Sequence, residues 1–105
     1  MAPRPPRLTD DECASALADL PEWSVIDGSL HRTLEFRDFA AAFEFMTAVA
    51  GIAEYLDHHP DWSNSWNTVR IDIVSHDAGG LTALCFELAS RIDATLGRST
   101  RESSG

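Results

Sequence analysis

The chain contains no lysine: all eight of its basic residues are arginine. Schiff-base chemistry and a phosphate-loop lysine are thereby excluded. Cysteine is scarce too. Cys13 and Cys85 lack C-x-x-C spacing, and two thiols are too few for a disulfide framework, so a reducing compartment is the default. No stretch reads as the roughly 18 apolar residues of a membrane span, and the opening MAPRPPRL has no apolar signal region. The expectation is a cytoplasmic protein with no membrane partner. Positive charge is short as well, with 17 Asp and Glu against 8 Arg and a formal charge of -9. Arg4, Arg7, Arg98 and Arg101 lie near the ends, which leaves the body more acidic still. Such a surface repels phosphate backbones, so direct nucleic-acid binding is not expected.

What is present suits one globular domain: 105 residues, 44% of them hydrophobic, enough for a single core. Residues 1–8 and 97–105 read as disordered tails, the first rich in Pro and Arg and the second small and polar, around a single domain at 9–96. Thr9-Asp10-Asp11-Glu12 is a capping box that opens a short helix, which Pro21 stops. Residues 23–26 and 30–36 are strand-like, and Asp27-Gly28 between them supplies hairpin turn residues. From Asp38, the set Phe39, Phe43, Met46, Ala50 and Ala53 has helical spacing, and Pro60 limits that helix to about Asp57. Residues 62–67 and 68–76 form a second strand pair. Gly79-Gly80 breaks the chain, and a last helix begins after Thr82 with Leu84, Leu88, Ile92 and Leu96 as its buried stripe. The order αββαββα predicts an α+β fold: a four-stranded antiparallel sheet with helices packed on one face.

Three of the four histidines fall between residues 54 and 77. Glu54 and His58, four apart on the last helical turn, are spaced to pair, and both the carboxylate and the helix end would raise the imidazole pKa toward neutrality. The residues alone leave three readings of His58 and His59: a polar helix end before Pro60, an acid/base pair, or zinc ligands. Adjacent histidines converge poorly on one ion, so no metal is expected. Ser75-His76-Asp77 is not a triad, because neighbours on a strand diverge. His31 reads as a solvent-side strand residue, and Trp62 and Trp66 as either core residues or a stacking platform.

Glu54-x-x-x-His58-His59-Pro60, then five residues to Trp66, nine to His76, and Gly79-Gly80-Leu81-Thr82 resemble the signature of the pterin-4a-carbinolamine dehydratase family. Trp23, Phe36-x-x-Phe39, Phe45-Met46 and Ala53-Glu54 extend the resemblance over residues 9–96. It implies a cofactor-free lyase that removes water from 4a-hydroxytetrahydropterin in cofactor recycling, assembled as a homodimer or homotetramer by sheet extension and helix packing. The resemblance also implies roles: His58 as principal acid/base, His76 as a second, His59 as a substrate-orienting group and Glu54 as the residue that tunes His58. Asp57, Pro60, Trp66, Ser75 and Asp77 are implied to line the pterin. One position departs, since the family usually carries Asp three residues after the Thr or Ser of the Gly-Leu-Thr segment and here that residue is Cys85. The alternative is a catalytically weakened binding module, as in relatives that serve as dimerisation partners of a transcription factor.

Overall fold

A computed structural model describes residues 4–104, with side chains through Gly97. Helix α1 spans Asp10–Leu17 and begins with the expected capping box: the Thr9 hydroxyl accepts from Glu12 N–H, and the Glu12 carboxylate accepts from Thr9 N–H. β1 (Ser24–Ile26) and β2 (Ser29–Glu35) flank the Asp27-Gly28 turn, where φ is 51° and 81°. Two successive left-handed residues match the twist of a tight hairpin, which accounts for the glycine. α2 runs Phe39–Leu56 from an Asp38 cap, followed by β3 (Asp61–Ser65), β4 (Thr68–Ile73), a single 3-10 turn at His76–Ala78, and α3 (Ala83–Ser104). The strands form one antiparallel sheet in the order β1-β2-β4-β3.

Alternation sorts β4 most clearly into a core face and an outer face, whereas all three residues of β1 are exposed. Leu30, Val69, Ile71 and Ile73 are fully buried, and they meet Ala42, Phe45 and Val49 of α2 and Cys85, Leu88, Ala89 and Ile92 of α3. Arg32 and Trp23 converge on Asp93, with bonds of 2.7 Å and 2.9 Å to the same carboxylate oxygen. That carboxylate is committed to the β1–β2 end of the core. His31 is half-buried rather than free in solvent, with Asp72 Oδ1 2.9 Å from its Nδ1.

Four expectations are corrected. The buried stripe of α2 is Ala42, Phe45, Val49 and Ala53, while Phe39 and Phe43 are 48% and 54% exposed and Ala50 also faces outward. The helix is apolar around most of its circumference, so its spacing admits two stripes and only packing selects one. α2 is in fact long and apolar enough to cross a membrane, with a mean hydropathy of 1.3 over its 18 residues, yet its Ala42–Ala53 face packs in the core. Trp66 is not in a strand: with Asn67 it forms the β3–β4 turn at φ 49°, and Asn64 Nδ2 donates to the carbonyls of Trp66 and Thr68 across it. Finally, residues 4–8 lie against the body instead of fraying, because Leu8 N–H donates to Leu81 O at 2.8 Å and Arg7 bridges Thr82. The remainder of the expected N-terminal tail, 1–3, and residue 105 lie outside the described residues, and α3 continues through the segment read as a polar tail.

Candidate active site

The end of α2 determines where the first two histidines point. Asp57 adopts a left-handed conformation (φ 52°, ψ 44°), Asp57 N–H donates to Glu54 O at 3.2 Å, and His58 N–H donates to Ala53 O at 3.0 Å. Those two bonds make a Schellman turn with Asp in the place usually held by glycine. Such a turn directs the next residue back onto the helix, a position that commonly carries an apolar contact. Here that residue is His58, only 5% exposed, and His59 is turned outward.

Each histidine has its own partner. Cys85 Sγ lies 3.5 Å from His58 Nε2, Glu54 Oε2 lies 2.5 Å from His59 Nε2, and Asp61 Oδ2 lies 3.2 Å from His76 Nε2. The Glu54–His58 pair expected from their spacing is therefore replaced by Glu54–His59, since the turn carries His58 away from the outer helix face. The expected upward shift of His58 is reversed as well. Burial pushes its pKa below the ordinary 6.5, and Arg4 and His59 push the same way against Asp77 and Asp57.

A polar chain runs inward from the second turn. Ser75 Oγ is 2.8 Å from Thr82 Oγ1 and 3.4 Å from Cys85 Sγ, and Thr82 N–H approaches the same sulfur at 3.5 Å. Ser75, expected to line the pterin, is thus buried and bonded internally, and its backbone closes on Gly80 at both ends of the loop. Asp57 and Asp77 are exposed, and both approach Arg4. Pro60 is partly buried between His59 and Asp61 in the chain. Trp66 sits apart from these groups. It follows the far end of β3 from Asp61, about 16 Å away at strand spacing. His76, placed at a strand end by the sequence, is instead on the 3-10 turn.

Asp61 and Arg4 went unidentified in the sequence. Asp61 carried a weak signal, an acid directly after the His-His-Pro run, whereas Arg4 carried none, being 53 residues from its partner. Neither Asp77 nor Asp93 occupies the place of the missing family Asp, as Asp77 faces Arg4 and Asp93 is held by Trp23 and Arg32. Among the described residues, no group of three or more His, Cys, Asp or Glu side chains gathers as metal ligands. A cleft of about 620 Å³ adjoins the site: Ser75, His76, Gly80 and Cys13 line it, but His58 and His59 do not.

The lowered pKa of His58 has a consequence for stability. As pH falls below about 6.5, the unfolded chain takes up this proton before the folded one, so stability is present above 6.5 and is lost as pH falls toward the depressed folded value. His58→Gln should flatten that loss. Melting temperatures of both proteins from about pH 7.5 to 5.5 measure it, and parallel curves would contradict the burial argument.

The family model described as pterin 4 alpha carbinolamine dehydratase matches residues 6–95. A protein from Solibacter usitatus, named as a candidate pterin-4-alpha-carbinolamine dehydratase, is 48% identical over 84% of this chain and 93% of its own. A Bradyrhizobium protein of the same name is 52% identical over 84% of this chain and 90% of its own. The crystal structure of a transcriptional coactivator/pterin dehydratase from Brucella melitensis superposes with a TM-score of 0.81 at 39% identity, covering 84% of this chain and 96% of that one. With the match spanning the whole body, including Glu54, His58, His59 and His76, the chain belongs to the pterin 4 alpha carbinolamine dehydratase family.

Proposed function

We propose that the protein dehydrates a 4a-hydroxytetrahydropterin, using His58, His59 and His76 without a cofactor. Elimination requires a base for the ring N–H beside carbon 4a and an acid for the hydroxyl on that carbon. The N–H pair becomes the C=N bond as the C–O bond breaks, and water leaves. The observation that carries the reading is the separation of the imidazoles by environment. His58 is buried and biased toward the neutral form that can accept a proton, while His59 and His76 are exposed and hydrogen-bond to the Glu54 and Asp61 carboxylates. In this reading His58 is the principal acid/base and His76 the second. Glu54 orients His59 against the substrate instead of tuning His58. Asp57, Asp77 and Pro60 border the pterin, and the buried Ser75 supports the turn that carries His76. The setting is cytoplasmic recycling of a tetrahydrobiopterin-type cofactor.

Binding tests the reading independently of rate. A 7,8-dihydropterin, which resembles the product, should perturb the imidazole NMR signals of His58, His59 and His76. Perturbation of His31 alone would contradict it.

The protein is also proposed to be a homo-oligomer. Phe39 and Phe43 pack on one another at 5.7 Å between ring centres on the outer face of α2, and β1 presents Val25 and Ile26 at a sheet edge. Both are surfaces a second copy can cover. Light scattering at micromolar concentration should report an assembly that Phe43→Glu reduces, and a monomeric wild type would contradict this. The same outer helix face, together with the word coactivator in the name of the Brucella structure, supports a second reading, an oligomeric binding module with weakened catalysis.

A further inference from the structure

The N-terminal arm touches both histidine-bearing turns through one side chain. Arg4 Nη2 donates to Asp57 O at 2.8 Å, its Nη1 lies 3.6 Å from Asp57 Oδ2, and its Nε lies 4.0 Å from Asp77 Oδ2. Asp57 immediately precedes His58 and Asp77 immediately follows His76. α2 has no basic residue in its last turn, so Arg4 brings to that helix end a cation that its own sequence does not supply. Exposed ion pairs hold little by themselves. The seat of the arm rests instead on the Leu8–Leu81 bond, the Arg7–Thr82 bridge and the close passage of Arg7 over Gly80. A Cβ at residue 80 would stand 2.7 Å from Arg7 Nε and 3.1 Å from its Cδ, so glycine at residue 80 lets the Arg7 side chain pass this close.

We propose that Arg4 is a positioning residue: it ties the turn bearing His58 to the turn bearing His76 and sets a positive charge against His58. Among the described residues, five groups face that imidazole. Asp57 and His59 come from its own turn, Asp77 from the 3-10 turn, Cys85 from the start of α3, and Arg4 from the arm. Arg4 and His59 oppose protonation, and Asp57 and Asp77 favour it. Removing the guanidinium therefore shifts the balance toward imidazolium and removes one tie between the two turns.

The inference takes from the proposed function only the role of His58, and its first test needs no substrate. In NMR titrations of the full chain, Arg4→Gln should raise the His58 midpoint above that of the wild type, and Arg4→Lys should keep it near the wild-type value. In the dehydration assay the acidic limb of the pH–rate profile should move upward for Arg4→Gln along with that midpoint. A His58 midpoint unmoved in Arg4→Gln would overturn the proposal. A shifted midpoint in a protein that does not accelerate dehydration would leave it standing while removing the proposed function.

Discussion

Replacing His58 with Ala should lower the catalysed dehydration rate by about 10² or more, the usual worth of a positioned acid/base. The fold should survive at a cost of about 1–3 kcal/mol, because the ring is buried at a helix end and shares a contact with Cys85. The rate effect should exceed that of His59→Ala, whose imidazole is exposed and paired with Glu54. Steady-state rates of the two variants, read beside their melting temperatures, separate chemistry from folding. An unchanged rate in folded His58→Ala would remove this residue from the mechanism.

The second large effect is expected at Cys85, where the family pattern has Asp. The thiol is fully buried and touches His58 Nε2, Ser75 Oγ, Thr82 N and Thr82 Oγ1 at 3.4–3.7 Å. Every one of these groups can donate a hydrogen bond, so a carboxylate in the same place would be satisfied on several sides. Capping the start of α3 and charging the histidine converge on one atom. Cys85→Asp should therefore raise the His58 pKa, since added negative charge favours imidazolium, and move the acidic limb of the pH–rate profile upward. The cap itself should contribute about 0.5–1 kcal/mol of stability. Cys85→Leu is the converse case. It keeps the site apolar but leaves Thr82 N–H without its acceptor, at a cost of about 1–3 kcal/mol. A fall in melting temperature for Cys85→Asp would show that desolvation of the carboxylate outweighs its new partners.

The contrast between these two residues also shows how far the amino-acid pattern carries. Local rules were legible: the Thr9–Glu12 capping box, the Asp27-Gly28 hairpin and the αββαββα order all describe contacts between near neighbours. The inward face of α2 was not, because its apolar residues surround the helix and the sheet selects Phe45 and Val49 over Phe39 and Phe43. Four-residue spacing suggested Glu54 for His58, yet the left-handed Asp57 rotates the chain by just enough to give Glu54 to His59. A bulky Trp at a positive φ is uncommon, and nothing in the strand-like composition of residues 62–67 signals that Trp66 forms the turn. Arg4 and Cys85 reach His58 across 54 and 27 residues of chain, and such contacts become visible only once the fold has placed both ends.

The most direct measurement is the absorbance decay of synthetic 4a-hydroxytetrahydropterin mixed with the full-length protein near neutral pH. Spontaneous dehydration in buffer supplies the baseline. The expected result is an acceleration that rises linearly with protein concentration and is lost in His58→Ala. A wild-type decay that coincides with buffer alone, from folded protein at every concentration, would contradict the assignment of this chain as an active dehydratase and leave the binding module as its function.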